Sequence, residues 1–310
     1  NFYGIFGELF LLIKLRKLNR LDAAIISSTH VVLLLYYRLL SKLLHFPLIL
    51  SIAELHIAVP SKSLYHKFNN FLFDRFSFGI VDKVIPISEI LEQRVQKFYP
   101  NKPTLKIPVL CDYSKFPTKS VNSEEKYFLF CGGAGYYEVI DFVVHAYEKI
   151  RQKEAFKLYL VINGNIAQMN RVKQSIIQSG HSSQIRLLSS LSYEELITLY
   201  QNAAALLIPL RDTLQDAARF PHKIGEYLAA QRPIITTNFG EIKLFFNDTI
   251  NALICEKYDI FQYASKMEFV IKNPQKADVI GKEGYKLGLN TFHYEIYSNK
   301  LRQFIFPEKI

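Results

Sequence analysis

The chain has 310 residues, 49% hydrophobic and 21% charged, with 13 glycines and 12 prolines; this is enough apolar material for two domains and excludes disordered, collagen-like and linker-dominated chains. Three cysteines, Cys111, Cys131 and Cys255, form no CxxC pair, which argues against a disulfide framework or structural zinc and for a reducing cytoplasm. The net charge is +10, and residues 1–118 carry 15 Lys and Arg against 8 Asp and Glu, so seven of the ten positive charges sit at one end.

In chain order, residues 5–20 place Ile5, Leu9, Leu12 and Ile13 at helical spacing and end in Lys14, Arg16, Lys17 and Arg20. The run from Asp22 to Ser27 reads as a buried strand, Val31 to Leu44 as an amphipathic helix broken by Pro47, and Leu48 to Ala53 as a strand leading to Glu54 and His56. A helix follows from Ser63 to Phe78, then a strand from Lys83 to Ser88. Ser88 opens a helix with Glu89 and Glu92 in its first turns. A short strand is expected over Thr104–Ile107. The polar connector from Thr118 to Lys126 marks a domain boundary.

A second series begins at Tyr127, whose strand ends in Gly132-Gly-Ala-Gly135. It continues with a helix near 139–153, a strand from Leu158 to Asn163, a helix over 167–179, a strand at 185–188, a helix at 193–202, a strand at 204–208, a helix at 221–231 and a strand at 233–237. Strand and helix alternating at this pitch give parallel sheets with helices on both faces. Ligands of such domains bind outside the carboxyl ends of the strands, so a cleft between two domains is the expected site.

No stretch reads as a membrane span: the most apolar, Ala23 to Ala53, is interrupted by His30, Arg38, Lys42 and His45. The basic residues of the first third are scattered among aliphatic ones, which suits a helix near an anionic membrane surface, or simply a solvated helix face, and does not suit nucleic-acid binding. No signal-peptide pattern is present.

The most informative segment runs from Arg219 through Pro221, Lys223 and Glu226 to Pro233 and Thr236. A helix start carries exposed backbone donors and a positive dipole end, to which Arg219 and Lys223 add full charges, and Glu226 follows within two turns, where a carboxylate can accept two sugar hydroxyls. Phosphate at the helix start and a diol beyond it describe a nucleotide-linked ligand; the plain alternative is a surface glutamate beside a solvated basic turn.

This segment resembles the donor-binding region of GT-B glycosyltransferases, in particular the retaining family 4 enzymes, in which Pro221, Lys223, Glu226-Tyr-Leu-Ala229, Pro233-Ile-Ile-Thr236 and Gly240-Glu241 have counterparts in order. Glu194 to Ala203, Val161 to Gly164, Ile107-Pro108 with Phe116, and Ile87-Ser88 extend the resemblance over nearly the whole chain. It implies an α/β, GT-B fold of two Rossmann-like, doubly wound parallel-sheet domains facing each other across a cleft. The domains would be residues 1–118 (acceptor side), 119–287 (nucleotide-sugar side) and a returning C-terminal helix at 288–310. Because the chain opens with Asn1 and nothing before Asp22 supplies the usual first strand and glycine loop, about two βα units of roughly 30 residues each are expected upstream.

By the same resemblance Glu226 holds the donor ribose, the backbone near Leu191 meets the base, and Gly132 and Gly133 lie close to the diphosphate, where the lack of a Cβ permits close approach. His56, with Ser61, Lys62 and Ser63 as loop neighbours, matches the histidine near the reacting sugar; His30 is the competing choice. Two departures stand out. Ala218 occupies the position of the family's first glutamate, with Asp216 nearby but out of register, and residues 132–141 contain neither Lys nor Arg. Arg211, Arg219 and Lys223 are the substitutes for that basic pair, and Glu241 is a further candidate.

The resemblance therefore implies transfer of a sugar from a nucleotide-diphosphate donor to a glycan, lipid-linked or small-molecule acceptor, retaining configuration, without metal or other cofactor. The alternatives are a non-catalytic nucleotide-sugar or glycan-binding subunit, and a nucleotide-sugar 2-epimerase.

Overall fold

The computed structural model describes residues 2–59, 63–117, 125–151 and 155–307. The chain divides into two compact units. The first comprises residues 1–108, the tripeptide Ala218–Phe220 and residues 297–310; the second comprises residues 109–217 and 221–296. Of the expected connector from Thr118 to Lys126, residues 118–124 lie outside the described residues.

In the first unit, helix α1 (Phe2–Lys17) precedes strand β1 (Ala24–Ile26), helix α2 (Val31–Leu44), strand β2 (Leu48–Ile52), helix α3 (Leu64–Ile80), strand β3 (Lys83–Pro86) and helix α4 (Glu89–Phe98). The three strands are parallel and lie in the order β1-β2-β3. Successive right-handed crossovers stepping in one direction put α2 and α3 on the same face of this sheet. Leu48, Ile49 and Leu50 in the central strand are fully buried. Asp82 ties the layers together by accepting from Arg38 of α2 at 2.9 Å and from the Leu48 amide at 2.8 Å.

Helix starts follow local chemistry. The Ser88 hydroxyl accepts the Leu91 amide at 3.3 Å and donates to the Ala218 carbonyl at 2.5 Å. The strand expected over Thr104–Ile107 is instead an extended segment with one parallel bridge, Val84 to Thr104. Only the Leu105 and Ile107 amides bond back to β3, and Pro103 and Pro108 on either side have no N–H to extend the ladder.

The second unit is a six-stranded parallel sheet with α5 (Tyr137–Glu148) to α12 (Pro274–Thr291) around it. Its strands are β4 (Lys126–Gly133), β5 (Phe156–Asn163), β6 (Ile185–Leu188), β7 (Ala205–Ile208), β8 (Ile234–Thr237) and β9 (Leu253–Cys255), and the order is β6-β5-β4-β7-β8-β9. That order reverses direction between β4 and β7, the arrangement of doubly wound nucleotide-binding sheets, and the crevice at the reversal is where such sheets bind ligands. The core lies between the sheet and its helices, with Phe128, Leu158, Leu160 and Leu207 fully buried beside Val143 and Tyr147 of α5.

Helices α6 (Ile166–Gln178) and α7 (Tyr193–Asn202) begin with capping boxes, Asn165 with Gln168 and Ser192 with Glu195. The short α8 (Leu214–Ala218) fills a stretch expected to be loop. The helix expected over 221–231 spans only Lys223–Ala229 (α9), because Gln231 takes a left-handed conformation and ends it. Pro221 thus lies two residues before the first helical residue. Helices α10 (Ile242–Phe245) and α11 (Ile260–Lys272) complete the order before α12, and α13 (Tyr294–Ile305) ends the chain. Lys83 of β3 donates to the carbonyls of Phe304 and Ile305 at the end of α13, the latter at 3.1 Å.

Candidate active site

Within the second unit the chemistry gathers where β4 ends. Gly132 and Gly133 are the last two residues of β4, followed by a tight turn over Ala134–Tyr136. A Cβ on Gly133 would make only ordinary contact, at 4.0 Å, with the Asn163 carbonyl oxygen and the Tyr136 ring, while one on Gly132 would meet the Phe130 ring at 3.0 Å. Gly133 has φ −87°, a backbone conformation open to any residue.

Helix α9 is fastened to this strand end by Tyr227. Its fully buried hydroxyl accepts the Cys131 amide at 3.0 Å, one residue before Gly132, and its ring packs edge-on against Tyr200 at 5.1 Å. Gly225 brings the other side of α9 against the Cys111 segment, since a Cβ there would lie 2.9 Å from the Cys111 Cβ. With the helix fixed in this way, Lys223 and Glu226 stand side by side: Lys223 Nζ donates to Glu226 Oε2 at 2.9 Å, with side-chain exposures of 32% and 21%.

Neighbouring titrations register the pair. Burial raises the Cys131 thiol pKa, Lys223 acting to lower it and Glu226 to raise it. Burial pushes the Cys111 thiol up to about 12, with the Glu226 carboxylate as the next cause, and the same two causes push the Tyr193 phenol to about 12. The Glu226 carboxylate, flanked by Lys223 and by the tyrosine at the start of α7, is an acceptor of hydrogen bonds with a cation already at hand.

Arg211, just past β7, is committed elsewhere. Its guanidinium forks onto the fully buried Asp216 at 3.0 and 3.1 Å, reaches Glu138 at 2.9 Å and Gln215 at 3.2 Å. Its charge is matched within the loop it braces. Leu191 lies half-buried in the turn between β6 and α7, where Ser190 adopts φ +55° and its amide donates to Asn163 Oδ1 at 3.1 Å. Glu241 is buried at the start of α10, next to Gly240, whose φ is +55° and whose Cβ position lies 3.2 Å from the Asp216 and Ala217 carbonyls.

In the first unit, His56 begins a tight turn over His56–Ala58 after β2. Helix α3 clamps that turn: Asn70 Nδ2 donates to the His56 carbonyl at 2.9 Å and the buried Asp74 accepts the Ile57 amide at 2.5 Å. The imidazole packs edge-on against Phe73, ring centroids 4.9 Å apart. Burial lowers its pKa, opposed by the Asp74 and Glu54 carboxylates and assisted by His30. His30 occupies the N-cap position of α2 without a side-chain bond to the helix and lies 6.5 Å, ring to ring, from His66. Ser61 and Lys62 are outside the described residues, and Ser63 caps α3. Arg219 follows Ala218, which is fully buried in the first unit, so this position offers no polar group in place of a glutamate.

The structure thus brings Lys223, Glu226 and the β4 glycines together in one unit and sets His56 and His30 near each other in the other. Sequence reasoning missed Tyr227, Gly225, Asn70 and Asp74, which hold those residues in position. Among the described residues no three His, Cys, Asp or Glu side chains converge as metal ligands, and no helix is long and apolar enough to cross a membrane.

Comparison with known proteins agrees with this architecture. No curated protein matches the chain in sequence. Among solved structures, a sucrose-phosphate synthase from Thermosynechococcus elongatus superposes with a TM-score of 0.74 at 17% identity, over 87% of this chain and 70% of that one. A glycosyltransferase from Rickettsia africae gives 0.73 at 16% identity, over 100% and 83%. HepE from Anabaena, solved in complex with UDP, gives 0.74 at 12% identity, over 94% and 80%. At these identities the likeness establishes the GT-B fold. The sequence model of the family "Glycosyl transferases group 1" matches residues 114–287, more than half of the chain and nearly all of the unit that holds Lys223 and Glu226, and the chain belongs to that family.

Proposed function

We propose that this glycosyltransferase takes a sugar from a nucleoside diphosphate donor held at the end of β4 and transfers it, with retention and without a divalent ion, to a glycan, lipid-linked or small-molecule acceptor. The observation that carries this reading is the Lys223–Glu226 pair on α9, the helix whose Tyr227 bonds to the Cys131 amide just before Gly132 and Gly133, at the reversal of the sheet. Glu226 accepts the ribose hydroxyls, Lys223 turns its charge to the diphosphate, and the glycine backbone approaches the phosphates closely. His56, held largely neutral by burial, orients the reacting groups by hydrogen bonding. The UDP and UDP-glucose complexes of HepE support a nucleotide-sugar donor. Free cysteines, two of them buried, support a cytoplasmic setting.

A thermal-shift panel of sugar nucleotides on the full chain tests the donor reading, because a ligand that binds the folded state raises its melting temperature in proportion to affinity and concentration. Stabilisation by one nucleotide family is expected; a flat response to every sugar nucleotide overturns it. A second reading, a non-catalytic donor-binding subunit, is favoured by Ala218 and by the lack of Lys and Arg over residues 132–141. Donor binding without hydrolysis or transfer to any acceptor supports that reading instead, and product from donor alone supports epimerisation.

A further inference from the structure

The helices α1, α2 and α3 of the first unit leave an unusual amount of apolar surface uncovered. On α2, Val32, Leu35, Leu39 and Leu43 follow one another at helical spacing and are exposed, Val32 by 72% and Leu43 by 63%, while Leu34, Leu40 and Ser41 face inward. On α3, Leu64, Phe68 and Phe71 form a second stripe, with Leu64 exposed by 81%. The Val31 amide donates to Asn69 Oδ1 at 3.1 Å and Asn69 Nδ2 donates to the Thr29 carbonyl at 2.7 Å, which locks the start of α2 to the middle of α3. Both helices lie on the same face of the sheet, so both stripes belong to one outward surface. A contiguous apolar surface of this kind marks a place of contact.

Charge identifies the contact. Lys42 lies beside the α2 stripe and Lys67 beside the α3 stripe, both exposed. The carboxylates on α1, α2 and α3 are Glu8, bonded to Tyr37, and Asp74, which is buried against the Ile57 amide. The surface is therefore leucine and phenylalanine rimmed by cations, with no outward carboxylate on these helices. A second copy of the chain would bring the same cations against them, an unfavourable pairing in a two-fold contact. An anionic bilayer satisfies both parts, taking the side chains of the stripes into its acyl boundary and the lysines among its headgroups.

We infer that the first unit docks on anionic lipid bilayers through the outward faces of α2 and α3. This is independent of the donor reading, and the two are tested by different measurements. The full chain is sedimented with vesicles of phosphatidylcholine alone and of phosphatidylcholine mixed with phosphatidylglycerol. Binding to the mixed vesicles is expected to exceed binding to the neutral ones. Leu39→Asp and Phe68→Asp should each lower it by about tenfold or more, and Lys42→Glu with Lys67→Glu should do so by about tenfold for the pair and remove the preference for phosphatidylglycerol. These residues are exposed, so melting temperature and stabilisation by sugar nucleotides should be unchanged. Absence of binding to mixed vesicles, or equal binding by the variants, overturns the inference. So does a dimer in sedimentation velocity that Leu39→Asp converts to monomer, because the surface would then join two copies.

Discussion

Lys223 and Glu226 face each other across one turn of α9 at 2.9 Å, and the helix that carries them is pinned by its next residue, Tyr227, to Cys131, the β4 residue just before Gly132. The pair is one-third and one-fifth exposed, so it contributes little to folding, on the order of 0–1 kcal/mol. Its value lies with a ligand. Glu226→Ala should weaken sugar-nucleotide binding by about 10- to 100-fold, the worth of hydrogen bonds to a charged acceptor, with almost no change in melting temperature. Isothermal titration with the stabilising nucleotide measures it, and unchanged affinity removes Glu226 from the site.

Tyr227→Phe separates positioning from contact. The phenol is fully buried and accepts the Cys131 amide, so its loss leaves a buried N–H unsatisfied at a cost of about 1–3 kcal/mol. Urea unfolding should report that loss. Donor affinity should fall as well, because α9 loses its bond to β4, even though Tyr227 offers no atom to a ligand.

Gly240→Ala tests the loop after β8. At φ +55° an alanine is strained by roughly 1–2 kcal/mol, and its Cβ would press to 3.2 Å against the Asp216 and Ala217 carbonyls. Those carbonyls belong to α8, which Asp216 and Arg211 brace, so the strain has no flexible side chain to absorb it. A drop in melting temperature of several degrees is expected; an unchanged melting curve would mean that the loop can move aside.

How much of this was legible beforehand depends on what each residue type can say alone. Strands β2, β4, β5 and β7 are predominantly apolar, as buried parallel strands are, and Ser88, Asn165 and Ser192 announce helix starts by side-chain chemistry. The group 1 pattern around Glu226 led to the unit that holds it. Other features depended on distant partners. Nothing local marks Tyr227 as an anchor until the Cys131 amide is beside it, and Arg211 looked like a free cation until folding set Asp216 and Glu138 around it. Helix α9 is shorter than its sequence pattern implies because Gln231, a residue without turn preference, takes a left-handed conformation just beyond its end.

A pH profile probes His56. Burial lowers its pKa from the ordinary 6.5, and the carboxylates of Asp74 and Glu54 only partly offset that shift. Below pH 6.5 the unfolded chain therefore holds a proton on this imidazole that the folded chain does not. The unfolded state binds more protons there, so the His56 contribution makes stability fall as pH decreases from 6.5 through the lowered value, and leaves it flat above. Asp74 acts in a lower window with the opposite slope: burial raises its pKa, so the folded state holds the extra proton and its contribution fades as pH rises through that range. If neutral His56 orients the reacting groups, kcat/KM should hold its plateau below pH 6.5 and turn down only at the lowered value. Asn70→Ala, which frees the His56 carbonyl from α3, should loosen the turn, admit water and carry the inflection back toward 6.5 while donor affinity stays the same. An acid limb already centred at 6.5 in the unaltered chain would place the titrating group elsewhere and leave His56 without the assigned part in transfer.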